Sequence, residues 1–174
     1  MGTEFTVGEN TNPFFGFYEN TREYPATTPD GERMIPAIQL LKGIRDENLE
    51  WPNFSTIACQ VALHYMMLAR ELIMEEVKQK IAPDAPSRKT CLWMATDLSE
   101  ARIWQNRLNN GGKIAQLRAT GITHRVDAAY LLGDSEPLTQ TYDKARNYWL
   151  GQMSDNPQPE ILFSGKATVV KILD

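Results

Sequence analysis

Apolar residues recur at helical spacing through the middle of the chain. From about Ser55 to Ile81 they form one wide stripe, which predicts a long helix with a broad buried face. The stripe contains Ile57, Val61, Tyr65, Leu68 and Leu72, and it is widened by Leu63, Met66, Ile73, Val77 and Ile81. Alternating charges from Arg70 to Lys80 are typical of a solvated face. With a short helix beginning at Pro36, residues 34–82 are predicted to be helical.

The first 33 residues have a different pattern, rich in Asn, Thr, Gly and Pro. They are predicted to be mostly loop, with one short aromatic strand at Phe14–Tyr18. The segment Met1–Phe5 resembles a cloning remnant, so the functional argument excludes it.

Short elements alternate over residues 86–174, which predicts a mixed α and β region. Asp97 and Glu100 have the spacing of a capping box that begins a helix. The other predicted elements are a central strand at Thr90–Ala95, a strand at Lys113–Thr120, a helix at Thr139–Gln152, a loop at residues 154–160, and one or two closing strands at Ile161–Leu173, interrupted at Ser164–Lys166 as a hairpin would be.

Length and charge limit the classes of function. A chain of 174 residues is the size of a single domain, so residues 1–174 are predicted to form one. Eighteen basic residues face 22 acidic ones, and the net charge of −4 gives no global cationic field to attract nucleic acid. Only a local basic groove is compatible with this balance.

Cysteines and histidines are too few for most metal sites. The spacing of Cys59, His64, Cys91 and His124 fits no zinc template. Both cysteines lie in apolar patterns, which favour two buried thiols over the alternative of a single disulfide between them. No stretch approaches the roughly 20 apolar residues of a membrane span, and no signal peptide is apparent. We therefore expect no metal, no membrane, and a cytoplasmic protein or one delivered to a host cytosol without a cleavable signal peptide.

One acidic triplet remains as a candidate for chemistry, because the glycine-rich phosphate loops and the nucleophile elbow are absent. Gln158-Pro159-Glu160 stands directly before the apolar strand Ile161-Leu162-Phe163. On its own the triplet also fits a solvated charge at the start of a strand.

The order of motifs around this triplet is informative. It runs through Pro86-Ser87-Arg88, the strand containing Trp93, the capped helix, Gly111-Gly112-Lys113-Ile114, Tyr148-Trp149-Leu150-Gly151 and Pro159-Glu160-Ile161-Leu162. This order resembles a bacterial ADP-ribosyltransferase-like family over roughly residues 86–173. The resemblance implies an α+β fold with a split mixed β-sheet and flanking helices that binds NAD in a cleft.

The resemblance also implies roles for individual residues. Glu160 would bond the 2′-hydroxyl of the nicotinamide ribose and stabilise the positive charge that develops as nicotinamide leaves. Gln158 would orient the acceptor, and Arg88, with the Ser87 hydroxyl beside it, would bind the NAD diphosphate. Tyr18 and Tyr148 would stack on the bases of NAD.

Each of these residues also has a structural interpretation. Arg88 fits a surface charge, and Tyr148 fits core packing on an amphipathic helix. Members of the family carry Arg or His on the first strand, where this chain offers only Tyr18 or Arg22. The usual Ser-Thr-Ser strand motif is represented only by Ser87 and Thr90.

The expected function is mono-ADP-ribosyl transfer from NAD to a macromolecular acceptor, as in a bacterial toxin or effector. A protein is the first expected acceptor, and an antitoxin or chaperone is an expected partner. A non-catalytic interaction module with the same fold is one alternative. The same chemistry on nucleic acid is the other, with a basic strip formed by Lys113, Arg118, Arg125 and Lys144–Arg146.

Overall fold

The structure is a computed structural model that describes residues 2, 4–19, 22–28, 30–47, 54–109, 111–131 and 136–173. Its strands are β1 (Glu4–Val7), β2 (Glu23–Thr28), β3 (Gly31–Pro36), β4 (Leu92–Met94), β5 (Ile114–Asp127) and β6 (Pro159–Leu173). Its helices are α1 (Pro13–Glu19), α2 (Ala37–Arg45), α3 (Phe54–Ile81), α4 (Leu98–Leu108) and α5 (Leu138–Trp149), and a single 3-10 turn follows β5 at Ala128–Leu131.

The protein is an α+β protein, as its sequence predicts. Within the described residues every strand pair is antiparallel. The mixed sheet implied by the family resemblance is therefore not found among these strands. The chain divides into two compact units, one of Met1–Phe15 with Glu71–Asp174 and one of Gly16–Arg70. The single domain over residues 1–174 stays a prediction.

Strand β6 organises the larger unit. Strand β5 pairs with it along its whole length, from Ile114 opposite Leu173 to Asp127 opposite Pro159. On the other edge of β6, β4 pairs with Ile161–Phe163 and β1 pairs with residues 165–168. Residues 161–163 of β6 thus lie between β5 and β4. Glu160 lies in β6 opposite Val126 of β5, so the predicted loop at residues 154–160 is wrong for its last two residues.

Strand β6 is continuous, so the hairpin predicted at Ser164–Lys166 is wrong. Gly165 has a positive φ of +145° and pairs directly with Gly121 of β5. A Cβ on Gly121 would lie 2.1 Å from the Ser164 carbonyl oxygen and 2.8 Å from the Gly165 Cα. The glycine that resembled a turn signal is therefore required by the close approach of two paired strands.

The core of the larger unit lies where α3 and α5 pack with the sheet. Trp149, Tyr148, Met74 and Leu162 are all at most 1% exposed. The Trp149 indole Nε1 donates to the Met74 carbonyl at 2.6 Å, which joins α5 to α3. The end of α5 is thereby fixed, and Tyr148 lies in that last turn.

The smaller unit is built on the hairpin of β2 and β3, which pair from Glu23 opposite Pro36 to Thr28 opposite Gly31. Its core contains Ala26, Ile35, Ala37, Leu40, Ile57 and Val61. Pro36 ends β3 and occupies the N-cap position of α2, instead of lying in the first turn as predicted. Residues 34–36 are thus strand, and the described remainder of the region predicted as helical contains α2 and α3.

Residues 1–33 contain more regular structure than the predicted loop with one aromatic strand. Phe14–Tyr18 lies in helix α1, because Asn12 accepts the Phe15 N–H at 2.8 Å as an N-cap and Pro13 occupies the first helical position. The excluded segment at the N-terminus contains half of β1, since Glu4 and Phe5 pair with Thr168 and Ala167 of β6.

Helix α3 confirms the extent of the predicted long helix almost residue for residue. Its predicted broad buried face is wrong, because Leu63, Tyr65 and Leu72 of that face are 50–52% exposed. The charged half is not fully solvated, however, because Glu71 is 0% and Lys78 4% exposed. By length and composition alone α3 could cross a membrane, a test that core helices of soluble proteins also pass. The prediction that no stretch approaches the length of an apolar membrane span is therefore wrong for α3.

Helix α4 confirms the predicted start at Asp97, whose carboxylate accepts the Glu100 N–H at 2.9 Å. Glu100 reaches back by one residue more than a capping box requires, to the Thr96 N–H at 3.0 Å. The helix ends at Asn109, which adopts the left-handed conformation.

The close approach of β5 and β6 predicts a steric effect of Gly121→Ala. The new methyl group meets backbone atoms that cannot move aside, so we expect a loss of about 3 kcal/mol in the free energy of unfolding by urea. Gly111→Ala is the control, because its φ of +67° is strained for alanine but no atom lies within 4 Å, and it should cost only about 1 kcal/mol. Equal losses in the two variants would contradict the steric explanation.

Candidate functional site

Four distant parts of the larger unit meet around Arg88. Glu71 comes from α3, Tyr148 from the last turn of α5 and Glu160 from the start of β6. All four side chains are buried, with Arg88 3% and Glu160 7% exposed. The structure therefore brings together Arg88, Tyr148 and Glu160, three of the residues predicted for the site.

Glu71 binds the guanidinium of Arg88 through both of its carboxylate oxygens. Its Nε donates to Glu71 Oε2 at 2.8 Å and its second terminal nitrogen to Glu71 Oε1 at 3.2 Å. The guanidinium also lies over the rings of Trp93 and Tyr148, at 5.6 and 5.3 Å from their centroids. Arg88 is thus not the surface charge of the structural interpretation. Its predicted contact with a diphosphate would require it to exchange Glu71 for the ligand.

Glu160 is bonded through one oxygen. Tyr148 donates its hydroxyl to Glu160 Oε1 at 2.7 Å, and Arg88 donates to the same atom at 3.3 Å and to the Tyr148 oxygen at 2.6 Å. These three side chains form a closed triangle of polar contacts. Among the described residues, none donates a hydrogen bond to Glu160 Oε2, and the side chain keeps 9% exposure.

Burial controls the protonation of this cluster. Desolvation raises the pKa of Glu160, and the positive charge of Arg88 and the Tyr148 hydrogen bond oppose the rise without cancelling it. Desolvation also raises the pKa of Tyr148 far above its usual value, so its hydroxyl stays a donor. The pKa of Arg88 is raised despite burial, because Tyr148, Glu71 and Glu160 surround it.

A second layer of contacts fixes the turn that carries Arg88. Glu75 accepts the Ser87 hydroxyl and the Arg88 N–H, each at 2.7 Å. Asn12 donates its amide to the Arg88 carbonyl at 2.7 Å. The Ser87 hydroxyl, which was predicted to bind NAD, is therefore engaged in holding this turn in place.

Gln158 lies on the edge of the same strand start. Its side-chain oxygen accepts a hydrogen bond from Arg107 of α4, which orients its amide NH2 away from that contact. Trp104, one turn earlier, donates its indole N–H to the Pro159 carbonyl at 2.9 Å. Helix α4 therefore holds the segment that contains Gln158 in place.

The predictions for the two tyrosines, Tyr148 and Tyr18, have different outcomes. Tyr148 is 0% exposed and directs its hydroxyl at Glu160, so it positions a carboxylate and does not offer a free ring for stacking. Tyr18 lies in α1 and not on a first strand, which corrects its predicted place in the fold. Its side chain is outside the described part of the chain.

The basic residues predicted as a strip are not aligned. Arg118 and Arg125 are seven positions apart on β5 with no register shift between them, so they point to opposite faces of the sheet. Arg125 pairs with Glu100 at 3.1 Å, and Lys144 pairs with Glu136 at 2.5 Å. The described contacts thus neutralise two of the cations that the nucleic-acid interpretation needs.

Several residues of the site were not predicted from the sequence. Glu71 and Glu75 are separated by one helical turn and continue the face that begins at Ile57 and Val61, which is the signal that could have identified them. Asn12 carries the cap signal of Asn followed by Pro.

The chemistry that the arrangement supports is that of one oriented carboxylate in a polar cluster nearly closed to water.

Burial also separates the two cysteines. Cys91 is buried, as predicted, and desolvation raises the pKa of its thiol to about 12, whereas Cys59 is exposed, which contradicts its predicted burial. Because the thiolate is the nucleophile, we expect a thiol reagent such as Ellman's reagent to modify one thiol per native chain at pH 8, and a second only after unfolding. Cys59→Ser should abolish the modification of the native protein; fast labelling of this variant would contradict the assigned burial.

The ion pair of Arg88 predicts a large effect of Glu71→Ala. Removing this partner leaves a buried guanidinium without its bidentate acceptor, so we expect a loss of roughly 3–5 kcal/mol in the free energy of unfolding. Glu76→Ala on the same helix is the matched control, because Glu76 pairs with Lys80 in an exposed position. Chemical denaturation measures the free energy of unfolding of both variants. A comparable loss in the two would contradict the larger contribution expected of the buried ion pair.

Comparison with known proteins adds a family. No curated protein matches this chain. A family model described as "Protein of unknown function (DUF2441)" matches residues 1–174. Because the match covers the whole chain, including Arg88, Tyr148 and Glu160, the protein belongs to the DUF2441 family.

Proposed function

We propose that the protein is an ADP-ribosyltransferase-like enzyme that moves ADP-ribose from NAD to a macromolecular acceptor, with Glu160 as its catalytic residue. The observation that carries the proposal is the anchoring of Glu160. Its Oε1 accepts from Tyr148 and Arg88, and among the described residues nothing donates to its Oε2. A carboxylate held through one oxygen can direct the other at a ligand hydroxyl or a developing positive charge.

The proposed step breaks the bond between C1′ of the ribose and the nicotinamide nitrogen. Nicotinamide leaves with the bonding electron pair, and an acceptor nucleophile forms the new bond to C1′ and releases its proton to solvent. Positive charge develops on the ribose before the new bond forms, as in other glycosyl transfers. Ionised Glu160 stabilises that charge, and the surrounding low dielectric strengthens the effect.

Tyr148 and Arg88 act as positioning residues in this proposal. Tyr148 fixes the plane and rotamer of Glu160 through its 2.7 Å hydrogen bond. Arg88 lowers the cost of a buried negative charge, although burial still raises the pKa of Glu160. Glu71 then keeps Arg88 in place. The contact of Arg88 with the NAD diphosphate, and base stacking by Tyr148, are thus replaced in the proposal by roles in orienting Glu160.

Gln158 is proposed to orient the acceptor. Because Arg107 occupies its side-chain oxygen, Gln158 would offer its amide NH2, which favours an acceptor group with an oxygen or nitrogen lone pair. A protein acceptor is proposed first and a nucleic acid second. Action as a bacterial toxin or effector, a cytoplasmic place of work and an antitoxin or chaperone partner belong to the same proposal.

A specific observation favours a second candidate, a non-catalytic interaction module. Arg88 is 3% exposed and is bonded on all sides by Glu71, Tyr148 and Glu160. A cluster closed in this way also fits a purely structural role, as a buried ion pair that specifies the packing of α3, α5 and β6. Binding of NAD, measured by calorimetry, separates this candidate from the enzyme.

The enzyme hypothesis predicts release of nicotinamide from NAD by the purified protein. Glu160→Gln keeps the shape of the side chain and one acceptor oxygen for Tyr148 and Arg88 but removes its charge, so we expect release to fall by roughly 100-fold or more with the fold retained. The rate should rise with pH as Glu160 ionises, with a midpoint above the ordinary value of 4.5 because burial raises its pKa. Liquid chromatography of nicotinamide and a thermal melt provide both readouts.

Glu32→Gln is the control, because Glu32 is an exposed residue of β3 in the smaller unit and makes the same change of charge. A cell lysate that supplies the acceptor should stimulate the release of nicotinamide. Treating the lysate with protease or with nuclease then identifies the class of acceptor, because only one of the two treatments should remove this stimulation. Equal release by the wild type and by Glu160→Gln would exclude Glu160 as the catalytic residue. No NAD binding and no release would favour the interaction module.

A further inference from the structure

Asp127 is a buried acid that the proposed reaction does not yet use. It is the last residue of β5, lies opposite Pro159 in the register and is 0% exposed. Its carboxylate accepts three backbone N–H groups, with Oδ1 bonded to Ala129 at 2.9 Å and Gln158 at 2.7 Å, and Oδ2 bonded to Ser154 at 2.8 Å. One side chain thus binds both ends of the segment 154–158.

We propose that Asp127 is a positioning residue that sets the place of Gln158 and Glu160 relative to Tyr148 and Arg88. The inference rests on the proposed function, because it concerns the residues of that reaction. Only Pro159 stands between Gln158, whose N–H Asp127 accepts, and Glu160. A displacement of this anchor therefore moves the carboxylate that Tyr148 must meet at 2.7 Å.

The other contacts of the segment agree with this role. Ala128 donates its N–H to the Gln158 carbonyl at 2.9 Å, Trp104 donates to the Pro159 carbonyl, and Arg107 donates to the Gln158 side chain. These contacts fix residues 158 and 159 but do not reach Ser154. Among the described contacts, only Asp127 connects residue 154 to residue 158, so it closes the loop between α5 and β6 just before the site.

The ionised form of Asp127 is what this arrangement requires. Burial alone would raise the pKa of Asp127, but the N–H donors of Ser154, Gln158 and Ala129 outweigh it and lower the pKa below its usual value. An asparagine at this position keeps the size and one acceptor oxygen. Its NH2 group would face a backbone N–H, so at least one of the three hydrogen bonds is lost.

The test compares Asp127→Asn with the wild type in the full-length protein by two measurements. The first follows the carboxyl carbon of Glu160 by ¹³C NMR as the pH is changed, which reports the surroundings of Glu160 without any reaction. The second is the turnover of nicotinamide release with NAD as the probe. We expect the midpoint of Glu160 to rise further above 4.5, because a displaced Glu160 loses the Tyr148 hydrogen bond that lowers its pKa. We expect turnover to fall about 10–100-fold, with the KM for NAD changed less than about threefold.

Asp97→Asn is the matched control, because Asp97 also accepts a backbone N–H, at the start of α4, where asparagine caps a helix equally well. It should leave both readouts at their wild-type values. If Asp127→Asn does not fold, Asp127→Glu is measured instead, since it keeps the charge and displaces the carboxylate by one methylene.

The two proposals fail in different ways. A wild-type protein that releases no nicotinamide overturns the proposed function, and the titration of Glu160 then decides the role of Asp127 alone. A variant with wild-type titration of Glu160, and with wild-type turnover wherever the enzyme is active, overturns the positioning role even if its amides at Ser154 and Gln158 exchange faster. A shifted titration of Glu160 together with a reduced turnover in Asp127→Asn supports both proposals.

Discussion

The buried guanidinium of Arg88 is the constraint on which the larger unit depends. A charge removed from water must be surrounded by acceptors, and here the acceptors come from α3, α5 and β6. Each of these elements must therefore arrive at one place with a particular side chain. Apolar packing of Met74, Trp149 and Leu162 favours many related arrangements of the same elements. The ion pair with Glu71 and the hydrogen bonds of Tyr148 select one of them.

The same cluster connects stability to chemistry. One cation faces the two carboxylates of Glu71 and Glu160, so the second negative charge is not fully compensated. Burial raises the pKa of Glu160, which is the acid nearest to solvent, and Glu71 contributes to the rise. A carboxylate whose ionised form is held at a cost interacts more strongly with a developing positive charge than a solvated one does. The structural and catalytic interpretations of Glu160 thus rest on one set of contacts.

Sequence signals predicted those elements whose extent depends on neighbouring residues. The extent of α3 follows from its apolar period, and the ends of α4 follow from Asp97 and Asn109. Long-range pairing was not predictable in this way. The aromatic segment at Phe14 favours a strand by propensity, but the cap at Asn12, itself fixed by Arg88 and Lys89, makes it a helix. Glu71 was missed because alternating charges normally indicate solvent, and its partner is 17 residues away.

The glycine pair shows how a distant constraint reaches the site. A strand that slips by one residue turns every side chain to the other face, and such a slip would remove Glu160 from Tyr148. Between β5 and β6 the backbones approach so closely that Gly121 admits only Gly165 as its partner. A shift in either direction would bring Ser164 or Lys166, each with a Cβ, opposite Gly121. The pair therefore fixes the register five residues from Glu160, and Asp127 opposite Pro159 fixes it again at the start of the strand.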